Sequence, residues 1–301
     1  MTDNTNKLET FKLIDGKKIA SKIKKKITKE VAEIIDNTDK SLHLAAIIVG
    51  EEPLSKSSLS EKEKACKEAG IIFSLYKFHA SVKEKELLDL IEFLNNDDEV
   101  NGLTVQLPLP EHISEEKVIS CISPKKDVNG MHPINLGKLT IGLPTFLPLV
   151  PNAVMELIKH YKIETEGKNC VILGNSNYVG KPLSILMSQK SKHGNATVTL
   201  CNSETKNLKK ICASADILIA AIDKCEFVTA DMVKNKAVVI DTGSHRIPSD
   251  NNEEDFILKG DVKFDEVSKK TSYITPVPDG VEPMIIASLL INVLKAFNAD
   301  N

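Results

Sequence analysis

Apolar and polar positions follow two periods along this chain, and the period switches repeatedly. Ile19, Ile23, Ile27, Val31 and Ile34 recur at near-helical spacing among lysines and glutamates, which predicts an amphipathic helix over 17–36. Leu42 to Val49 is an unbroken apolar run closed by Gly50, the pattern of a buried strand. Ser55 to Ala69 returns to helical spacing with Gly70 as its stop, Ile71 to Phe78 predicts a strand, and Glu84 to Leu94 a helix. Asn101 to Leu107 is a further short apolar strand. Pro108-Leu109-Pro110 cannot extend its ladder, because proline lacks an N–H and restricts the residue before it. Ser114 to Lys117 opens a short helix to about Ile122, and 124–133 read as turn-rich loop.

The second half repeats the alternation. Pro151 is expected at the first helical position of a helix through Tyr161. Strands are predicted at 169–173, 196–200, 216–221, 237–241 and 272–275, with a helix from about Gly180, a short helix after the second strand, and a last apolar helix over 284–297. Residues 249–254 form a polar excursion. Strands separated by helices predict an α/β protein of two domains, an α/β/α N-terminal domain over 1–150 and a Rossmann-like, doubly wound parallel sheet over 151–282.

Composition narrows the partners. Lys and Arg number 39 against 42 Asp and Glu, a net charge of −3, and the one basic run, Lys22 to Lys29, carries Ile at helical spacing. That run is a solvated helix face, so nucleic acid is excluded as a partner. Six cysteines, at 66, 121, 170, 201, 212 and 225, show no metal-ligand spacing and read as reduced core thiols of a cytoplasmic protein without a metal. No apolar run approaches a membrane span, and Met1 to Thr10 is neither signal nor transit peptide, so no membrane is expected.

Three places could carry chemistry. Ser58, Lys62 and Cys66 are four residues apart and share a helix face. A lysine on a helix is ordinarily just solvated, but one facing a cleft loses hydration, its pKa falls, and it becomes a usable acid or base. Gln106 ends an apolar strand where open α/β sheets gather ligands. It either caps the strand or, able to donate and accept at once, serves a relay. Gly174 to Pro182 follows a strand and opens a helix, a plain tight turn or a backbone cradle for phosphate.

The order of three segments goes further. Gln106-Leu107-Pro108-Leu109-Pro110, Lys126-Asp127-Val128-Asn129-Gly130 and His132-Pro133-Ile134-Asn135 resemble the methylenetetrahydrofolate dehydrogenase/cyclohydrolase (FolD) family. The resemblance runs from Leu13-Ile14-Asp15-Gly16-Lys17 to Ile274-Thr275-Pro276-Val277-Pro278, nearly the whole chain. It implies that the C-terminal helix, within 283–301, returns to the first domain, and that the protein is a homodimer. It also implies a bifunctional 5,10-methylenetetrahydrofolate dehydrogenase and 5,10-methenyltetrahydrofolate cyclohydrolase acting on a tetrahydrofolate derivative with NADP or NAD. Lys62 would be the catalytic lysine, Gln106 its relay and Asp127 a retained carboxylate, in a cleft also lined by Ser58 and Asn129. Gly174, Asn175, Ser176, Gly180, Ser203 and Thr205 would meet the cofactor.

Several positions depart from the family pattern. Ser58 stands for a substrate-positioning tyrosine and cannot stack on a pterin; Asn129 stands for a carboxylate that grips the pterin's N–H edge. Asn175 replaces the arginine that meets the NADP 2′-phosphate, and Asn202 replaces a histidine. Leu149-Val150 replaces Cys-Thr. Asp223, Asp279 and Glu282 replace glycines, adding negative charge and restricting the backbone. These changes imply activity lost or strongly impaired, leaving a partner subunit or a binder of another small molecule. The alternative is an active NAD(P)-dependent folate one-carbon enzyme using Lys62.

Overall fold

The computed structural model describes residues 11–50, 53–249 and 252–300. By its contacts the chain divides into two compact units, a first of 18–153 with 283–301 and a second of 1–17 with 154–282. In chain order the first half holds β1 (Lys12–Leu13), α1 (Gly16–Thr38), β2 (His43–Val49), α2 (Pro53–Ala69), β3 (Ile72–Phe78), α3 (Glu84–Asn95), β4 (Gly102–Val105), α4 (Glu115–Cys121) and α5 (Pro133–Thr140). There follow α6 (Leu149–His160), β5 (Asn169–Leu173), α7 (Gly180–Ser188), β6 (Thr197–Cys201), α8 (Leu208–Cys212), β7 (Ile217–Ala220) and β8 (Val238–Asp241). The chain ends with β9 (His245–Ser249), β10 (Asn252–Lys259), α9 (Phe264–Val267), β11 (Tyr273–Ile274) and α10 (Glu282–Asp300).

In the first unit three parallel strands lie in the order β3-β2-β4. β2 is central and, from Leu44 on, apolar and buried because both its faces are covered. Leu44 packs with Ile27 and Val31 of α1 and Leu290 and Val293 of α10, while Ala45, Ile47 and Val49 face Leu87, Ile91 and Leu94 of α3. This period-two sorting carries into β4, where Leu103 and Val105 join the α3 side. Thr104 and Gln106 therefore point to the face that α2 covers.

The second unit is a six-stranded parallel sheet in the order β1-β11-β8-β7-β5-β6. β5 has β6 on one side and β7 on the other, so the order reverses there, and the crevice at its carboxyl end is where ligands of such sheets bind.

Several expectations need correction. Lys12 and Leu13, assigned to the first domain, pair with Tyr273 and Ile274 in the second unit's sheet, because the chain enters through β1 before α1 begins. α6 starts at Leu149, so Pro151 is its third residue; in the first turn its missing N–H costs nothing. The loop after Asn129 continues into the unpredicted α5, capped by His132, whose Nδ1 accepts from Ile134 N. The polar excursion at 249–254 includes 250 and 251, outside the described residues, and joins an antiparallel hairpin of β9 and β10. The hairpin carries no alternating pattern because Phe256, Ile257 and Leu258 are all exposed on β10. Met1 to Thr10 and Glu51-Glu52 also lie outside the described residues. Finally, α10 is long and apolar enough to cross a membrane by length and composition, contrary to the sequence reading. Its Leu289, Leu290, Val293 and Phe297 are instead spent in the core of the first unit.

Candidate active site

Lys62 interrupts the buried stripe of α2, between Leu59 and the pair Ala65 and Cys66, and is only 7 % exposed. Its Nζ donates to Gln106 Oε1 at 2.8 Å. The amide of Gln106 is fixed from the other end, Nε2 donating to Leu107 O at 2.9 Å, and its backbone N–H closes the ladder to Ile47 O. The Leu107–Pro108 peptide that follows is cis. Burial pulls the Lys62 pKa down to about 8, opposed by Cys66 one turn on, whose own thiol burial pushes up to about 12. A lysine in this state gives up and recovers a proton near neutral pH, as a general acid–base group must. Ser58, half-buried, lies one turn before Lys62 on α2.

The loop after α4 lies beside β4, with Leu103 N donating to Lys126 O at 2.7 Å and a bridge between Leu103 and Asp127. Asp127 is buried, and its Oδ2 accepts from His132 N at 2.7 Å and from Asn135 Nδ2 at 2.9 Å. That carboxylate oxygen braces the loop into α5. Asn129 accepts from Thr104 Oγ1 at 3.1 Å through Oδ1, which leaves the amide as its remaining polar group. Lys126 anchors the loop on the end of α3 through Leu94 O and Asp97 O. From behind, Asn292 of α10 donates to Val128 O at 2.8 Å and Leu147 O at 3.0 Å. Two elements of this site escaped sequence reasoning. Thr104 was findable, two residues before Gln106 on one strand, and so was Asn292, a lone amide in an apolar helix.

In the second unit a pocket of about 570 Å³ lies at the carboxyl ends of β5, β6, β7 and β8, and its lining includes Gly174, Asn175, Ser176 and Ser203. Gly174 has φ +103°, and a Cβ there would stand 1.9 Å from Ala221 O; one on Gly180 would stand 1.8 Å from Gly174 O. Only glycine lets the turn close on both β7 and α7. The first N–H groups of α7 are already engaged, Gly180 N with Ser176 Oγ at 3.4 Å and Lys181 N with Ser176 O at 3.1 Å, and Pro182 has none. The phosphate cradle expected at this helix start thus reduces to the 175–177 turn. Thr205 spends its hydroxyl on Asn202 N at 2.9 Å, bracing its own turn. Among the described lining residues Lys224 is the one cation, and it lies over the Phe227 ring at 5.6 Å.

The acidic positions differ in setting. Asp223 has φ +58°, and its side chain is 96 % exposed, with Oδ1 3.8 Å from His245 Nδ1. Asp279, φ +76°, pairs with Lys17 Nζ at 3.2 Å on the surface. Glu282 has both carboxylate oxygens shut from solvent without a hydrogen bond of normal geometry. Burial raises its pKa, with Asp279 adding to the rise, against its own N–H and the neighbouring Ser244 hydroxyl. Two buried acids that the sequence reading passed over stand at the pocket, Asp261 in its lining and Asp241 behind it. Asp241 accepts from Gly243 N at 2.9 Å, Asp261 N at 3.0 Å and Val262 N at 2.8 Å. Burial still pushes Asp241 up to about 7, against those three donors. Among the described residues no His, Cys, Asp and Glu group could hold a metal ion.

Comparison with known proteins agrees with this geometry. Residues 14–129 match the catalytic domain of tetrahydrofolate dehydrogenase/cyclohydrolase, and residues 148–301 match its NAD(P)-binding domain. The bifunctional protein FolD of Bacteroides fragilis is 53% identical over 284 residues, 94% of this chain and 97% of that one. The crystal structure of the bifunctional enzyme FolD from Campylobacter jejuni superposes with a TM-score of 0.91 at 41% identity, covering 97% of this chain and 100% of that one. The FolD of Trypanosoma brucei, solved with NADP cofactor and inhibitor, also gives 0.91, at 32% identity over 96% of this chain and 98% of that one. A buried lysine–glutamine pair at the end of a parallel sheet, a glycine-built pocket on a second sheet and matches over both units lead to one conclusion: the chain belongs to the tetrahydrofolate dehydrogenase/cyclohydrolase family.

Proposed function

We propose that this chain is a family member whose proton-transfer pair is kept while its grip on both ligands is weakened, so that the bifunctional activity is lost or strongly impaired. The observation that carries the proposal is Asp223, a carboxylate in open solvent at the rim of the pocket that would hold a dinucleotide. A carboxylate at that rim repels an anionic dinucleotide, and the pocket offers one cation in return. The turn suits a dinucleotide: Gly174 and Gly180 let it close on Ala221 and on α7, and Asn175, Ser176 and Ser203, which line the pocket, would hold the nucleotide. A bound nicotinamide would supply the hydride chemistry. With Asn175 rather than a cation at the turn, NADP gains nothing over NAD. On the folate side, Asn129 offers a tetrahydrofolate derivative a neutral amide, already bonded to Thr104, and Ser58 no ring to stack. Four of the six free cysteines are core thiols as expected, whereas Cys121 is half-buried and Cys225 exposed; their reduced state supports a cytoplasmic setting, and the edge strand β3 with exposed Ile72 supports a homodimer.

A second reading is favoured by Lys62. A lysine held at 2.8 Å to Gln106 with a pKa of about 8 supports methenyltetrahydrofolate hydrolysis that survives without hydride transfer. Two assays on the purified protein separate the readings: calorimetry with NAD and NADP, and absorbance of the methenyl compound as it forms or is consumed. The proposal expects weak nucleotide binding and no methenyl formation. Methenyl formation at a rate matching that of the bacterial relatives would sink it, and consumption alone would establish the second reading.

A further inference from the structure

The wall of the second-unit pocket is held by a side chain with no place in the proposed chemistry. Asp261 is fully buried. Its Oδ2 accepts from Ile222 N at 2.9 Å and Asp223 N at 3.3 Å, and its Oδ1 from Lys224 N at 2.9 Å and His245 Nε2 at 2.8 Å. Three consecutive backbone N–H groups converging on one carboxylate impose a tight curl on 222–224, and Asp223 in that curl has a left-handed backbone. The site of Asp261 is itself built: its own N–H goes to Asp241 Oδ1, and a Cβ on Gly243 would stand 2.4 Å from Asp261 Oδ1. The curl lies at the end of β7, beside the reversal of strand order, and Ile222, Asp223 and Lys224 all line the pocket.

We propose that Asp261 is the positioning residue of the pocket rim: its carboxylate fixes the 222–224 curl, and through it where Asp223 and Lys224 present their charges to a bound nucleotide. The inference rests on the reading of this pocket as the nucleotide site. Its physical basis is that an acceptor-only group matches four donors, whereas an amide of the same shape would turn two donors of its own against two of them. His245 closes the set from the side, and its other ring nitrogen faces Asp223.

The test uses the full-length chain and the variants Asp261→Asn and His245→Gln, with amide hydrogen exchange and NAD calorimetry read in parallel. In Asp261→Asn, exchange at residues 222–224 should speed up by roughly tenfold or more, the loss expected when bonds to a buried acceptor go, while exchange in β5 stays as it was. NAD affinity should fall by a similar factor, and His245→Gln, which leaves the three backbone bonds, should move both readouts far less. Unchanged exchange at 222–224, or faster exchange with NAD affinity intact, overturns the proposal. If Asp261→Asn does not fold, the unmodified protein decides: the amides of 222–224 should exchange far more slowly than exposed loop amides, and exchange there as fast as in an open loop overturns the clamp. Failure of the unmodified protein to bind NAD refutes the nucleotide reading separately, and the exchange result still decides the clamp.

Discussion

The Nζ of Lys62 and the Oε1 of Gln106 meet at 2.8 Å although 44 positions separate them in the chain. Two periodicities bring them together. The stripe of α2 turns Lys62 inward with Leu59 and Cys66, and the pleat of β4 turns Gln106 to the same side as Thr104, away from Leu103 and Val105.

Because the folded pKa of Lys62 is depressed to about 8 from 10.5, the native protein releases this proton before the unfolded chain does. Between those values the unfolded state binds more protons, so stability rises with pH across about 8 to 10.5, by an amount on the order of 3 kcal/mol. Lys62→Met should remove that rise and be at least as stable at pH 7. Urea denaturation at pH 7.5 and pH 10 measures it, and a flat profile for the unmodified protein contradicts the buried state of Lys62.

Asn129→Asp keeps the acceptor for Thr104 and adds a charged oxygen for a pterin N–H, a bond worth about 1.5 to 3 kcal/mol. Together with Ser58→Tyr it should tighten folate binding by roughly ten- to a hundredfold, before any hydride transfer returns. Lys62→Ala in this background should abolish methenyl hydrolysis. Titration of a tetrahydrofolate derivative into the double variant checks the first point, and no gain in affinity would mean that these two positions are not the damaged grip.

NADP should bind no better than NAD, and both weakly. Asp223→Gly removes the exposed carboxylate and suits φ +58°, so it should strengthen the binding of both dinucleotides and leave the fold at least as stable. Combining it with Ser58→Tyr, Asn129→Asp, Asn175→Arg, Asp279→Gly and Glu282→Gly should then raise dehydrogenase activity by orders of magnitude, because full orientation of two reactants is worth roughly 7 to 11 kcal/mol. Calorimetry on the single variant and methenyl formation on the combined one decide it; an unmodified protein already preferring NADP at micromolar levels contradicts it.

Glu282→Gln should stabilise the protein near neutral pH. The raised pKa means that the native state holds a proton the unfolded chain has lost, so stability falls as pH climbs above the ordinary carboxylate range. The amide removes this slope. Thermal unfolding at pH 5 and pH 7.5 compares the two proteins, and an equal pH dependence in both would show that the carboxylate is not the source.

What the sequence made legible was the repetitive part. β2, β5 and α1 follow single periods, and their bounds moved by no more than two residues at either end. Lys62 and Gln106 were readable because each breaks an apolar pattern. Asp261 and Asp127 were not readable as braces, since the same carboxylate in a loop reads equally as a ligand group or a solvated one, and only the converging N–H groups distinguish them. The β9–β10 hairpin was hidden for a related reason: a pair of strands with no core to face carries no alternation to read.

Asn292 ties the Val128 carbonyl to the last helix of the chain, and this sets an order of assembly during synthesis. Every strand of the six-stranded sheet, β1 included, has been translated once residue 274 is made, whereas the three-stranded unit, whose strands are complete by Val105, lacks α10 until residue 300 is made. The ribosome therefore releases the later unit ready to fold while the earlier one still waits, the reverse of the usual N-terminal-first order. A chain truncated after residue 282 should protect β5 and β7 from protease and leave the Lys126–Gly130 loop open to cleavage.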